Sequence, residues 1–120
     1  MRKVLVVDDS KFSRNVNIKL LVGLEYEIVG EAVDGLDGFE KFKELNPQLI
    51  VTDLEMPNLN GLDMIKEIRK YNKKVDIIVI SSVVNSQTIQ EVARLGASVI
   101  KKPVREIKLL NAIKQLNKGG

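Results

Sequence analysis

Three short runs of apolar residues without a polar break, Val4-Leu5-Val6-Val7, Leu49-Ile50-Val51 and Ile77-Ile78-Val79-Ile80, constrain this chain more than any other feature. Each is too short for a buried helix and lacks the alternation of a strand with one wet face, so each reads as a strand covered on both sides. Two weaker segments complete the set. Tyr26 to Glu31 has the mixed polarity of an edge strand, and Ser98 to Lys101 is a short fifth strand.

Between these strands the apolar residues recur at helical spacing. Phe12, Val16, Leu20 and Leu24 predict the inner face of a first helix; Phe39 and Phe42 predict a second, entered after the Asp34-Gly35 turn signal and closed by Asn46-Pro47. Leu62, Ile65 and Ile68 mark a third helix. A fourth, capped by Asn85 or Ser86 and stopped at Gly96, would turn Ile89, Val92 and Ala93 inward. Ile107, Leu110, Ile113 and Leu116 mark the fifth. The pattern is (βα)5, which predicts an α/β doubly wound sandwich with a parallel five-stranded sheet in the order 2-1-3-4-5 and its switch point between the first and third strands.

Length and composition narrow the classes. A chain of 120 residues is expected to form one domain, 1–120, with any effector a separate molecule. No cysteine or histidine is present, which excludes a disulfide framework, thiol chemistry and soft-metal sites. Met1-Arg2-Lys3 and the few apolar residues before Asp8 are too short for a signal peptide, and no run reaches the length of a membrane span, so a soluble cytoplasmic protein is expected. Lys118-Gly119-Gly120 is either a frayed tail or the stub of a longer protein. Residues 1–60 hold 7 Lys/Arg and 11 Asp/Glu, whereas residues 61–120 hold 12 and 5. The asymmetry reads either as a set of solvated helix faces or as a basic face for an acidic partner or for nucleic acid; Lys66, Arg69, Lys70, Lys73 and Lys74 fall at helical spacing without interleaved aromatics, a helix-turn-helix or a zinc pattern.

The chemistry is expected at the carboxyl ends of the strands. The first strand runs into Asp8 and Asp9, the third into Asp53, and parallel strands bring such ends to one edge. At a spacing of roughly 5 Å and an effective dielectric of about 20, each like-charged pair repels by on the order of 3 kcal/mol. Raised pKa values, a cation or nearby lysines must relieve that repulsion, and an all-oxygen pocket suits a hard divalent ion, Mg²⁺ first. Ser81 ends the fourth strand and Lys102 follows the fifth. A carboxylate nucleophile, a metal pocket, a hydroxyl and an ammonium together fit phosphoryl transfer.

Asp8-Asp9, Asp53 before Met56-Pro57, Asn60-Gly61, Ser81 and Lys102-Pro103 resemble the motif set of response-regulator receiver domains, the CheY-like family, over the whole chain and in order. The resemblance implies a flavodoxin-like fold and a phosphorylation-activated switch of two-component signalling. Asp53 would accept a phosphoryl group from a histidine kinase or phosphotransfer domain, in a reaction that needs Mg²⁺ held by Asp8, Asp9, Asp53 and the backbone carbonyl of Glu55. Lys102 would pair with phosphoryl oxygens, Ser81 would move to hydrogen-bond one of them, and the Lys102-Pro103 peptide would be cis. A downstream protein would be met on the face of the fourth helix, fifth strand and fifth helix, where Arg94, Lys101, Arg105 and Lys108 attract acidic segments. The same resemblance implies no turnover beyond slow self-catalysed phosphorylation and dephosphorylation, no direct nucleic-acid binding, and a monomer, or a dimer once phosphorylated. The alternative output is that of a larger regulator, methylesterase or DNA-binding; Glu-Met-Pro after Asp53 and the Ser81-Ser82 pair are similar to receivers of chemotaxis methylesterases.

Two residues depart from the pattern. Val99 stands where many receivers carry an aromatic ring and Val104 where a Phe is common, so a ring switch is impossible and the signal would pass through the Ser81-Ser82-Val83-Val84 loop and the fourth helix. The Glu55 side chain adds charge at the pocket mouth, where it is a partner for Lys102, Arg105 or a lysine of another protein, or a solvated loop acid. Phosphatase chemistry of the Asp-x-Asp-x-Thr/Val kind and a nucleotide-binding glycine loop both lack their motifs here.

Overall fold

The computed structural model describes residues 2–119, with side chains to residue 116; the expected Gly120 end of the tail lies outside the described residues. Strands β1 (Lys3–Val7), β2 (Glu27–Ala32), β3 (Leu49–Thr52), β4 (Asp76–Ser81) and β5 (Ser98–Lys101) alternate with helices α1 (Lys11–Gly23), α2 (Gly35–Leu45), α3 (Gly61–Tyr71), α4 (Ser86–Arg94) and α5 (Glu106–Gly119). The strands form one parallel sheet in the expected order β2-β1-β3-β4-β5. Among the described residues no helix is long and apolar enough to cross a membrane.

The period of two along each strand sorts side chains into two cores. Leu5, Val7, Ile50, Ile77 and Val79 pack with Phe42, Met64, Ile65, Ile68 and Val92 beneath α2, α3 and α4. Val4, Val6, Leu49, Val51, Ile78, Ile80 and Ile100 pack with Leu21, Leu109 and Ile113 beneath α1 and α5. Both faces of the central strands are therefore dry, which is why their sequences are unbroken apolar runs. Fully burying one such side chain contributes roughly 1.5–3 kcal/mol, and these cores hold the sheet edge that carries the polar groups.

Helix starts are set by side-chain caps. Ser10, Asp34, Asn60 and Asn85 each accept the backbone N–H three residues on, so Asn85 and not Ser86 caps α4. Gly96, after α4, has φ +72°, a conformation that other residues adopt at a cost.

Three helix faces differ from expectation. Phe12 is 79% exposed, Ile89 46% and Ile107 60%. α1 buries Asn17 and Leu21 while the expected Leu20 and Leu24 pack half-buried against the core, α4 buries the expected Val92 alone with Ala93 exposed, and α5 packs through Leu109 together with the expected Ile113 and Leu116. A helix of 13 or 14 residues is about 20 Å long. The strands beneath α1 and α5 span roughly 13–17 Å, so the first helical turn overhangs the sheet edge and its apolar residues meet no layer.

Candidate functional site

Register converts sequence position into proximity. Val7 of β1 pairs with Thr52 of β3, so the next residues, Asp8 and Asp53, leave the sheet side by side. Ser81 of β4 pairs with Lys101 of β5, and the Lys102 N–H donates to the Ser81 carbonyl at 2.9 Å, which anchors the lysine at the same edge.

The three acids converge as the sequence predicts: Asp8, Asp9 and Asp53 each offer a carboxylate oxygen within 4.8 Å of the others. Asp8 is fully buried, Asp53 nearly so, and Asp9 exposed. Asp8 Oδ1 accepts the Ser10 N–H at 2.9 Å, but Asp8 Oδ2 is buried with no hydrogen-bond donor. Burial pushes the Asp8 carboxyl above its usual range; the Ser10 N–H and the Lys102 ammonium oppose this, and the charges of Asp53 and Asp9 reinforce it. Asp53 Oδ1 accepts the Leu54 N–H at 2.7 Å.

Lys102 bridges the pair, with Nζ 3.4 Å from Asp53 Oδ2, 3.7 Å from Asp8 Oδ2 and 3.3 Å from Ser13 Oγ. The Lys102-Pro103 peptide is cis, as the family resemblance implies. Ser81 sits at the same edge with its hydroxyl engaged by its own loop: it donates to the Val83 carbonyl and accepts the Val83 N–H, both at 3.3 Å. Glu55 is exposed, and among the described residues its side chain holds neither Lys102 nor Arg105, because Lys102 is already engaged by Asp53 and Asp8. Within the chain the Glu55 side chain is exposed and forms no ion pair among the described residues, which leaves it open to solvent or to a lysine of another protein.

Several supporting residues went unread in the sequence. Arg14 donates from Nη1 to the Asp8 carbonyl at 2.8 Å while its Nε pairs with Glu31 at 2.9 Å, bracing the loop that bears Asp8 and Asp9. Asn58, in the left-handed region at φ 67°, donates to Asp34 Oδ2 at 2.6 Å, and Asp34 also caps α2. Those bonds hold the Asp34 carboxyl below its usual range, the Asp37 N–H first and the Asn58 amide second. Only the positive-φ preference of asparagine hinted at this brace. A Cβ on Gly61 would penetrate the Asp53 carbonyl oxygen and lie 2.9 Å from Leu54 Cα, so glycine permits α3 to start against the Asp53 loop.

Beside the site, a cavity of about 480 Å³ lined by Val84, Ile89, Ala93, Ala97, Val99 and Lys101 opens between α4 and β5. Arg94, expected on this face, lies instead between α3 and α4, near Arg69 and Lys73. No ring fills the groove. The acid cluster offers hard oxygen donors only, and its buried orphan oxygen on Asp8 lacks the partner that such an atom requires. These residues fit a hard divalent cation.

Comparisons with known proteins agree with this geometry. Residues 4–114 match the model of the response regulator receiver domain. The chain is 36% identical over 118 residues to the chemotaxis protein CheY of Thermotoga maritima, covering 98% of each. It superposes on the response regulator domain of Thermotoga maritima CheB with a TM-score of 0.87 at 37% identity, covering 98% of this chain and 97% of that one. A chain of the CheX-CheY-BeF3-Mg²⁺ complex of Borrelia burgdorferi matches with a TM-score of 0.91 at 26% identity, covering 96% and 88%. A shared strand order, the acid cluster at the switch point and these likenesses lead to one assignment: the chain belongs to the response regulator receiver domain family, whose CheY-like members are signalling switches and not classic enzymes.

Proposed function

We propose that residues 1–120 act as a single phosphorylation-activated receiver in which Asp53 is the acceptor. One observation carries the reading: Lys102 Nζ lies 3.4 Å from Asp53 Oδ2 inside a cluster of three carboxylates. An acceptor carboxylate must be held, shielded from its neighbours and met by a cation as phosphoryl charge arrives. The Leu54 N–H holds one Asp53 oxygen and Lys102 faces the other.

The donor is a phosphohistidine of a kinase or phosphotransfer domain. An Asp53 oxygen forms the new O–P bond as the N–P bond breaks, and the imidazole nitrogen leaves with the bonding pair. Mg²⁺, when bound, neutralises part of the charge shared by carboxylates and phosphoryl group; Asp8, Asp9, Asp53 and the Glu55 carbonyl are the residues that would hold it. Lys102 then turns from Asp8 toward the phosphoryl oxygens. Ser81 exchanges its bonds to Val83 for one to the phosphoryl group, which draws the loop after β4 with it.

With Val99 in place of a ring, that loop and α4 carry the change to the face of α4, β5 and α5, where Lys101, Arg105 and Lys108 suit acidic segments of a cytoplasmic partner. Similarity to the CheB domain favours a second output, a receiver joined to a methylesterase; the phosphorylation chemistry is common to both. Incubation with Mg²⁺ and a small acyl phosphate should add the mass of one phosphoryl group to the wild type and nothing to Asp53→Asn. Equal labelling of the mutant would place the acceptor elsewhere.

A further inference from the structure

Four basic residues of the second half of the chain, Lys66, Arg69, Lys73 and Arg94, line the surface between α3 and α4, toward the rim opposite the acids where both helices end. Two adjoining cavities of about 350 and 360 Å³ form one furrow there: Arg69, Lys73, Arg94, Leu95 and Gly96 line the first, and Lys66, Glu91, Arg94 and Leu95 the second. Cations at helix carboxyl ends ordinarily need no explanation beyond the helix dipole. Here Arg69 already answers that demand. Its Nε donates to the Leu95 carbonyl at 2.6 Å, Nη1 to the Asn72 and Val75 carbonyls at 3.1 and 2.8 Å, and Nη2 to the Gly96 carbonyl at 3.3 Å. The guanidinium is partly buried by this and its pKa lowered by the burial.

Lys73 and Arg94 are left over. Both are exposed, and neither forms an ion pair among the described residues, while Lys66 and Lys70 are matched by Asp63 and Glu67 on their own helix. The surplus cations flank a concave strip with half-buried Leu95 in its floor. We propose that this furrow between α3 and α4 is a docking site for an acidic protein segment whose carboxylates meet Arg94 and Lys73 while an aliphatic side chain rests on Leu95. Charge complementarity identifies the occupant, and shape selects among polyanions. A flat anionic bilayer reaches only the rim of a furrow, and a nucleic acid needs a longer cationic track and stacking rings, which this strip lacks. The site stands apart from Asp53 and does not depend on the phosphorylation reading.

The test is an amide-resolved NMR titration of the full chain with a Glu-rich peptide containing leucine, repeated with a DNA duplex and with phosphatidylglycerol vesicles. Shifts should concentrate at Lys66, Lys73, Arg94, Leu95 and Gly96, fade with salt, persist in Asp53→Asn, and fall about tenfold in apparent affinity in Lys73→Gln/Arg94→Gln. Shifts confined to Val99 and Lys101, an unchanged affinity in the double variant, no binding, or tighter binding of duplex or vesicles would each overturn the proposal. Thermal melting of the double variant, expected to match the wild type, separates lost binding from lost fold.

Discussion

Asp8→Asn isolates the electrostatic strain of the acid cluster. In the absence of divalent ions the fully buried Asp8 faces two carboxylates within 4.8 Å and one ammonium at 3.7 Å. At an effective dielectric of about 20 each repulsion is about 3.5 kcal/mol or more and the attraction about 4.5 kcal/mol, leaving about 2.5 kcal/mol of net repulsion. Water around exposed Asp9 reduces that figure, and the desolvation of Asp8 adds to it. Asparagine keeps the bond from Ser10 to Oδ1 and replaces the orphan Oδ2 with a donor among acceptors. The metal-free variant should therefore be more stable by roughly 1–3 kcal/mol, and melt about 4–10 °C higher for a chain of this size. Sign and pH follow from the raised carboxyl pKa. Below its ordinary value of 3.8 the group is neutral folded or unfolded, so the wild type bears no penalty; stability is lost as pH rises from there through the folded value. The difference between variant and wild type should thus open above about pH 4 and level off at higher pH. Thermal melts in chelator across that range measure it, and saturating Mg²⁺ should shrink the gap, because the wild type gains a ligand oxygen that the variant lacks. A variant that melts lower than wild type at neutral pH in chelator would show that the Asp8–Lys102 attraction outweighs the repulsion and would refute the reasoning.

Lys102→Met removes the cation shared by Asp8 and Asp53, and should tighten Mg²⁺ binding by roughly tenfold, read by calorimetric titration, while lowering metal-free stability. Gly61→Ala forces a methyl group into the Asp53 carbonyl and should cost about 2 kcal/mol in denaturant unfolding, with slower phosphoryl uptake as the Asp53 loop shifts. Asn17, 2% exposed with an unpartnered Nδ2, should give a more stable protein as Asn17→Leu, by about 1 kcal/mol, because the adjoining cavity of about 430 Å³ between α1 and Pro103 takes the added carbons. A lower unfolding midpoint in that variant would mean that the amide makes a bond in solution.

The sheet was legible because its signal is local: a run such as Ile77 to Ile80 admits one kind of environment, dry on both sides, whatever lies elsewhere in the chain. The acids were legible because strand polarity alone brings Asp8 and Asp53 to one edge. Helix faces were less so. Phe12 and Ile107 keep the correct spacing and miss the core because spacing does not reveal where the sheet stops, whereas Ile89 borders the open groove between α4 and β5. The braces from Arg14 and Asn58, and the four carbonyls gathered by Arg69, were invisible because they join segments through side-chain reach, which no periodicity records. Ser81 marks the limit of motif reading: sequence brings the hydroxyl to the edge, and only the structure shows it bonded to Val83.

Under the proposed function, the unequal seating of α4 would let a modest chemical event at Asp53 have a distant effect. α4 has a single fully enclosed side chain, Val92, whereas α3 buries Met64, Ile65 and Ile68. Its carboxyl end is tied by Arg69 through the Leu95 and Gly96 carbonyls, and its amino end follows the loop that the Ser81–Val83 bonds fasten. A complete reversal of a two-state population takes about 5.5 kcal/mol. Under the proposed chemistry, one or two charge-assisted bonds from Ser81 and Lys102 to a phosphoryl group, each worth roughly 1.5–3 kcal/mol, come within reach of that figure only if the element they move gives up little packing. α4 is such an element. With its far end fixed, displacement of the Ser82 to Val84 loop would, under that proposal, become a tilt about Arg69 that alters the groove beside Val99, a relay that needs no ring at that position.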